Sequence, residues 1–164
     1  TPKAMMPVLN IPFISHVINY LMKHGINKVV LSMGYKPDPI QHYFESHMPD
    51  GIEIIYNIEN NPLGTAGAVK AAEKYLDERF VIISGDLLTD FNLQKIIDFH
   101  RDNKAKATIT LTPVKDPLQF GVVITDKEKR ITQFLEKPGW GEVISDTINT
   151  GIYVFEPEIF ASGE

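Results

Sequence analysis

A chain of 164 residues with 43% apolar content is long enough to close one core, so a single domain is expected. It carries 21 acidic and 16 basic residues, a formal charge of −5, with no Lys/Arg block, which argues against nucleic-acid and membrane-surface partners. The absence of cysteine excludes disulfide frameworks and Cys-ligated zinc, and fits a cytoplasmic protein. No apolar run approaches the ~20 residues that span a bilayer. No signal peptide is visible, and the abrupt opening on Thr1-Pro2-Lys3 leads us to expect an incomplete amino end.

Taken in chain order, Asn10 and Pro12 read as the cap and first-turn residue of a helix. Ile14, Val17, Ile18 and Leu21 recur on one face of it, and Gly25 closes it. Residues 28–33 (KVVLSM) read as a buried strand, 38–48 as a helix with Ile40 and Phe44 inward, and 53–56 as a short strand. An Ala-rich helix is expected over 65–76, and the most hydrophobic strand over 80–84 (FVIIS). Leu93, Ile96 and Ile97 mark a helix ending near Asn103, and 107–114 is a β-branched strand. Short strands over 122–125, 131–135 and 152–155 are then separated by turns. Strand and helix in alternation predict an α/β fold: a Rossmann-like mixed sheet, mostly parallel, with helices on both faces and an antiparallel extension after Val114. In such sheets ligands sit beyond the carboxyl ends of the strands, so the residues just after each strand are the ones to interrogate.

Four segments there carry chemistry. Pro62, Leu63, Gly64, Thr65, Ala66 and Gly67 lie between a strand and a helix, where small residues let a ligand approach backbone N–H groups. A tight turn with a cap at Thr65 fits the same residues. Ser84-Gly85-Asp86 ends the most hydrophobic strand and puts a carboxylate where a hard cation beside phosphates would sit, although a turn Asp fits equally well. Asp90 reads as an N-cap rather than a ligand. Glu136 and Lys137, stopped by Pro138, offer an acceptor for sugar hydroxyls and a point charge for a phosphate; a surface ion pair is the plain alternative. Asn149-Thr150-Gly151 offers an amide that both donates and accepts, or simply a turn, and Gly121 in Phe120-Gly121-Val122 either exposes backbone to a ligand or shapes a turn. His16, His24, His42, His47 and His100 read as surface or helix-end residues, and no Ser-His-Asp arrangement is visible.

The order of these segments is more telling than any one of them. Pro-Lys, Leu-Gly-Thr-Ala-Gly, Gly-Asp, Phe-Gly-Val, Glu-Lys-Pro and Asn-Thr-Gly-Ile-Tyr in succession resemble the motif series of the sugar-1-phosphate nucleotidyltransferases, from Thr1 to about Phe160. The resemblance is strongest to mannose-1-phosphate guanylyltransferases, including bacterial ones joined to a phosphomannomutase-like region. It implies the nucleotide-diphospho-sugar transferase type of sheet, and transfer of a nucleoside monophosphate from a triphosphate to a sugar-1-phosphate with release of pyrophosphate. It also implies magnesium as cofactor, with Asp86 as one ligand. By position, Lys3 matches the lysine on the nucleotide phosphates, and Gly64 to Gly67 match the loop around base and ribose. Gly121, Glu136, Lys137, Asn149 and Thr150 match the sugar-phosphate site. Pro62 and Gly85 fall within the nucleotide motifs.

Glu59, three residues before Pro62, stands where thymidylyl relatives often carry a base-reading Gln. A carboxylate accepts from guanine N1–H and N2 together, which favours GTP, though a solvated loop acid fits as well. The glycine-rich loop and first strand of the family are expected ahead of Thr1. The second magnesium carboxylate is expected beyond Glu164; Trp140 comes too early to mark it. The expectation is therefore one nucleotidyltransferase domain over 1–164, incomplete at both ends and inactive by itself, with an exposed sheet edge beside KVVLSM or FVIIS that leaves homo-oligomer formation open. The competing readings are a glucose-1-phosphate thymidylyl- or uridylyltransferase, a non-catalytic module that senses a sugar nucleotide, and a glycosyltransferase, which Glu136-Lys137-Pro138 disfavours.

Overall fold

In the computed structural model, which describes residues 2–34, 36–117, 120–136, 139 and 145–161, the main strands form two separate sheets. The chain first makes a small antiparallel hairpin of β1 (Pro7–Val8) and β2 (Ile11–Pro12). Leu9 and Asn10, at φ 50 and 63, form its turn, and left-handed backbone at both central positions is what a tight hairpin of this hand requires. Asn10 is therefore a turn residue and not the cap expected from the sequence. Helix α1 (Phe13–Lys23) starts after Pro12, and Gly25, at φ 79, follows its end as expected.

The parallel sheet consists of β3 (Lys28–Met33) and β4 (Glu53–Ile58), paired from Lys28 opposite Glu53 to Met33 opposite Ile58, with α2 (Asp38–His47) crossing between them. Helix α3 (Gly64–Ala71) and a tight turn over Glu73–Tyr75 occupy the stretch expected to be one longer helix. The second sheet contains β5 (Phe80–Ile83), β6 (Ala107–Pro113), β7 (Gly121–Thr125), β8 (Ile131–Glu136) and β9 (Thr147–Phe155), with α4 (Leu93–Asp102) between β5 and β6.

Strand β9 organises that sheet. Phe155 pairs with both Phe80 and Ala107, and Ile148 with both Thr112 and Val122. So β5 and β7 follow one another along one edge of β9, while β6 runs along the other. All these ladders are antiparallel. The α/β class is as expected, but among the described residues the parallel pairing is β3–β4 alone and lies in a sheet separate from the antiparallel one. The reason is that β5 finds its partner in β9, and the later strands return through turns rather than helical crossovers. The Asn149-Thr150-Gly151 segment, expected ahead of the last strand as a ligand-binding amide or a turn, lies inside β9. It makes an irregularity opposite Ile109 and Leu111, with Gly151 at φ 80.

Helix α1 joins the two sheets. Ile14 and Ile18 pack with Met33, Ile40 and Phe44, while Val17 and Leu21 pack with Leu93 and Ile152. Both pairs are four residues apart, which places them in adjacent rows of one face. Between the sheets lies a cavity of about 950 Å³, lined by Val29, Leu31, Val81 and Ile83 among others. Among the described residues β3 pairs with β4 alone and β5 with β9 alone, so an unpaired edge of the kind expected beside KVVLSM or FVIIS is found on each.

Two expectations about polar residues change. Asn92, not Asp90, caps α4: its Oδ1 accepts from Lys95 N at 3.1 Å. Asp90 instead lies near Tyr20, whose phenol is pushed up first by burial and then by the Asp90 charge. His100 is fully buried rather than superficial. Its Nδ1 meets Thr108 Oγ1 at 2.7 Å and its Nε2 meets Glu156 Oε1 at 3.0 Å, which satisfies both nitrogens. Among the described residues no helix is long and apolar enough to cross a membrane.

Candidate active site

Most of the expected residues emerge at the carboxyl ends of β4, β5 and β8 and in the middle of β9, while Gly121 opens β7 and Lys3 precedes β1. Beyond the parallel pair, Glu59 N donates to Met33 O at 2.8 Å, which extends the ladder one step. Gly34 follows Met33, and a Cβ built on it would stand 3.9 Å from Glu59 Oε2. That is ordinary contact distance, so Gly34 adjoins the half-buried Glu59 carboxylate without being required by it. Gly34 was not singled out from the sequence; a glycine immediately after a buried strand was the available signal.

Pro62, Gly64, Thr65 and Ala66 are exposed at the start of α3, and no side chain caps the first turn. Its N–H groups are open to an anion or a polar ring. Thr65 lies inside the helix and is not the cap its sequence position allowed. Gly67 has a steric role: a Cβ there would come within 2.8 Å of Leu63 Cβ, so only glycine lets the loop fold back on the helix. Lys3 is exposed in a short turn, Lys3–Met5, that packs against α1.

Ser84, Gly85 and Asp86 turn away from the end of β5, with Leu87 N donating to Ser84 O at 3.2 Å. Asp86 is exposed, and Ser84 Oγ donates to its Oδ1 at 2.5 Å. The last ladder pair here is Ile83 with Ile152, which puts Ser84 at the level of Gly151. Thr65, Ser84, Gly85 and Gly151 line the same cavity, together with Ala4 beside Lys3.

The remaining residues gather further along the second sheet. Gly121 pairs with Glu136, and a Cβ on Gly121 would meet Glu136 Oε2 at 3.1 Å. The carboxylate thus lies over a backbone kept bare for it. One step along, Val122 pairs with Ile148, the neighbour of Asn149. Asn149 Oδ1 accepts from Gly151 N at 2.9 Å and its Nδ2 donates to Tyr153 Oη at 2.7 Å, which leaves one N–H and one lone pair for a ligand. Tyr153 is thus a supporting residue that the sequence reading quoted within its motif but gave no role. Thr150 Oγ1 donates to Thr110 O at 2.8 Å, so its hydroxyl has only acceptor capacity left. Lys137, like Trp140, lies outside the described residues.

An exposed carboxylate, open helix N–H groups and side chains with spare hydrogen-bonding capacity thus gather near the ends of strands, where open α/β folds place their ligands. The chain belongs to the nucleotidyl transferase family, whose sequence pattern matches residues 1–163. It is 42% identical over 160 residues to the D-glycero-alpha-D-manno-heptose 1-phosphate guanylyltransferase of Aneurinibacillus thermoaerophilus, covering 97% of this chain and 67% of that protein. It is 38% identical over 159 residues to the mannose-1-phosphate guanylyltransferase of Mycobacterium tuberculosis, covering 96% of this chain and 44% of that protein. The chain thus spans less than half the length of the second relative. Among solved structures, HddC from Yersinia pseudotuberculosis complexed with GMP-PN superposes with a TM-score of 0.83 at 29% identity, covering 98% of this chain and 69% of that one.

Proposed function

We propose that the polypeptide carrying this chain transfers a guanylyl group from GTP to a sugar-1-phosphate, mannose-1-phosphate in the first instance, and releases pyrophosphate. The observation that carries the reading is the register of β5 on β9: Ile83 pairs with Ile152, so the Ser84-Gly85-Asp86 turn on the nucleotide side leaves β5 beside the stretch of β9 that holds Asn149, Thr150 and Gly151 on the sugar side. Group transfer between two bound substrates needs such adjacency more than it needs covalent catalysis. In this reading Lys3 and Lys137 set positive charge against the two phosphate groups. Gly64 to Gly67 hold base and ribose, and Glu59 accepts from guanine. Glu136, over Gly121, accepts from a sugar hydroxyl, and Asn149 uses its remaining N–H.

Magnesium fits the donor set. Asp86 presents an exposed carboxylate with one oxygen held by Ser84 and the other open. Among the described residues no group of three or more acids and histidines forms a cage. Magnesium commonly takes one or two carboxylates and completes its shell with substrate phosphates and water, so Asp86 is a suitable anchor. Bound there, the ion would supply neutralising charge on the phosphates.

Calorimetric titration tests the reading without turnover. GTP with magnesium should bind more tightly than UTP or dTTP, and mannose-1-phosphate should bind to the nucleotide complex. Equal affinity for all three nucleotides, or no sugar-phosphate binding, would contradict it.

A further inference from the structure

The hydroxyl of Ser84 touches no substrate in the reading above, yet it makes a short hydrogen bond, 2.5 Å to Asp86 Oδ1. We infer that Ser84 is a positioning residue for Asp86: it fixes the carboxylate in the orientation that meets magnesium. The inference rests on Asp86 being the magnesium anchor.

Three features single out this contact. First, the backbone of the turn is seated independently. A Cβ on Gly85 would stand 3.5 Å from Ile14 Cδ1 on α1, and the Leu87 N–H closes the turn on Ser84 O. Second, Ser84 and Asp86 are both exposed, so packing does not hold the Asp86 side chain. Third, Asp86 makes no ion pair among the described residues, and the Ser84 hydroxyl is the side-chain partner it has there. An exposed carboxylate on a fixed turn otherwise samples several rotamers. A short bond from the hydroxyl two residues back, across Gly85, selects one of them before any metal arrives. It occupies Oδ1 and leaves Oδ2 with both lone pairs.

Two effects of the hydroxyl oppose each other. Its proton withdraws charge from the carboxylate, which weakens a metal bond. Its direction removes the ordering cost of binding, which strengthens one. Magnesium demands near-octahedral geometry, so direction counts heavily for it. Hydrogen-bonding partners of metal ligands, when removed, generally weaken metal binding. Positioning therefore wins, and the sign of the effect is the test.

The measurement is GTP affinity by calorimetry with magnesium and with chelator, in wild type, Ser84→Ala, Ser84→Thr and Asp86→Asn. The ratio of the two affinities reports metal coupling without requiring turnover. Ser84→Ala should reduce that ratio roughly three- to tenfold, the worth of one hydrogen bond, with the chelator value unchanged and Ser84→Thr restoring the ratio. Asp86→Asn should remove most of the coupling. An unchanged or larger ratio in Ser84→Ala overturns the positioning role. An equal loss with and without magnesium also overturns it, because that is the mark of a structural residue. If Asp86→Asn keeps full coupling, the metal role of Asp86 fails and Ser84 falls with it. Coupling lost in Asp86→Asn but kept in Ser84→Ala sinks the Ser84 inference alone. Because Ser84 is exposed, the thermal unfolding midpoint should not move in Ser84→Ala, which separates these outcomes from misfolding.

Discussion

Replacing Gly121 with alanine is a clean perturbation of the sugar-phosphate side. The new methyl would stand 3.1 Å from Glu136 Oε2, inside the 3.4–4 Å of ordinary contact, so the oxygen must withdraw by a few tenths of an ångström. Glu136 is exposed and its side chain is flexible, so this withdrawal costs the fold little. The backbone of Gly121 is not left-handed, and alanine in a strand gains about 0.5–1 kcal/mol over glycine from the unfolded state. The thermal midpoint should therefore hold or rise slightly. Function should respond in the opposite sense. If Glu136 accepts a sugar hydroxyl, displacing that charge-assisted bond, worth about 1.5–3 kcal/mol when intact, should raise the KM for sugar phosphate by up to roughly 10- to 150-fold. The KM for GTP should not change. Steady-state kinetics with each substrate varied in turn, beside a thermal melt, reads all three quantities. An unchanged sugar-phosphate KM with an unchanged midpoint would remove Glu136 from the site, and a clearly lowered midpoint would show that the 3.1 Å contact strains the fold instead.

Other outcomes follow from the same geometry. Asp86→Asn should leave far-UV circular dichroism and the unfolding midpoint intact while magnesium-dependent turnover falls at least tenfold; normal turnover would make Asp86 a turn residue only. Glu59→Gln should erode the preference for GTP over UTP by about 1–3 kcal/mol, measured as the ratio of kcat/KM values, and an unchanged ratio would exclude base reading by Glu59. Glu156 belongs to the buried His100 network and its side chain is 23% exposed. Burial works to raise its carboxyl, but hydrogen bonds from Arg79 and His100 and their charges outweigh this and hold it below the usual range. A carboxyl lowered in the folded state stabilises fully above its unfolded pKa, and that stability is lost as pH falls through the folded value. Urea titrations should therefore show Glu156→Gln losing about 1.5–3 kcal/mol at pH 7 and much less near pH 3; a loss that does not shrink in acid would contradict the network's ionic character.

Much of this was legible in the sequence because local chemistry and tertiary role agree. KVVLSM and FVII are β-branched runs and form β3 and β5; Ile14, Val17, Ile18 and Leu21 recur at helical spacing and form the buried face of α1. Legibility failed where one residue type serves two local structures. Asn10 has the chemistry of a cap but occupies a left-handed turn position, and Asp90 lost the cap to Asn92 because α4 begins later. Asn149-Thr150-Gly151 has turn composition, yet the neighbouring ladders of β6 and β7 hold it within β9, and Gly151 absorbs the irregularity. Motif order indicated which residues to examine at the site but not what they touch. The Glu136 carboxylate over Gly121, the Ser84 hydroxyl on Asp86 and the Tyr153 phenol on Asn149 depend on strand register and turn geometry, and periodicity does not encode these. His100 was misjudged for a related reason: its partners, Thr108 and Glu156, come from β6 and the end of β9.

The central claim is guanylyl transfer to a sugar-1-phosphate, and pyrophosphate release measures it most directly. The polypeptide carrying residues 1–164 should be supplied with magnesium, each of GTP, UTP and dTTP in turn, and either mannose-1-phosphate or glucose-1-phosphate. Release should require both substrates, be fastest with GTP and mannose-1-phosphate, and collapse in Asp86→Asn. Release that ignores the sugar phosphate, or that favours UTP or dTTP with glucose-1-phosphate, would contradict it.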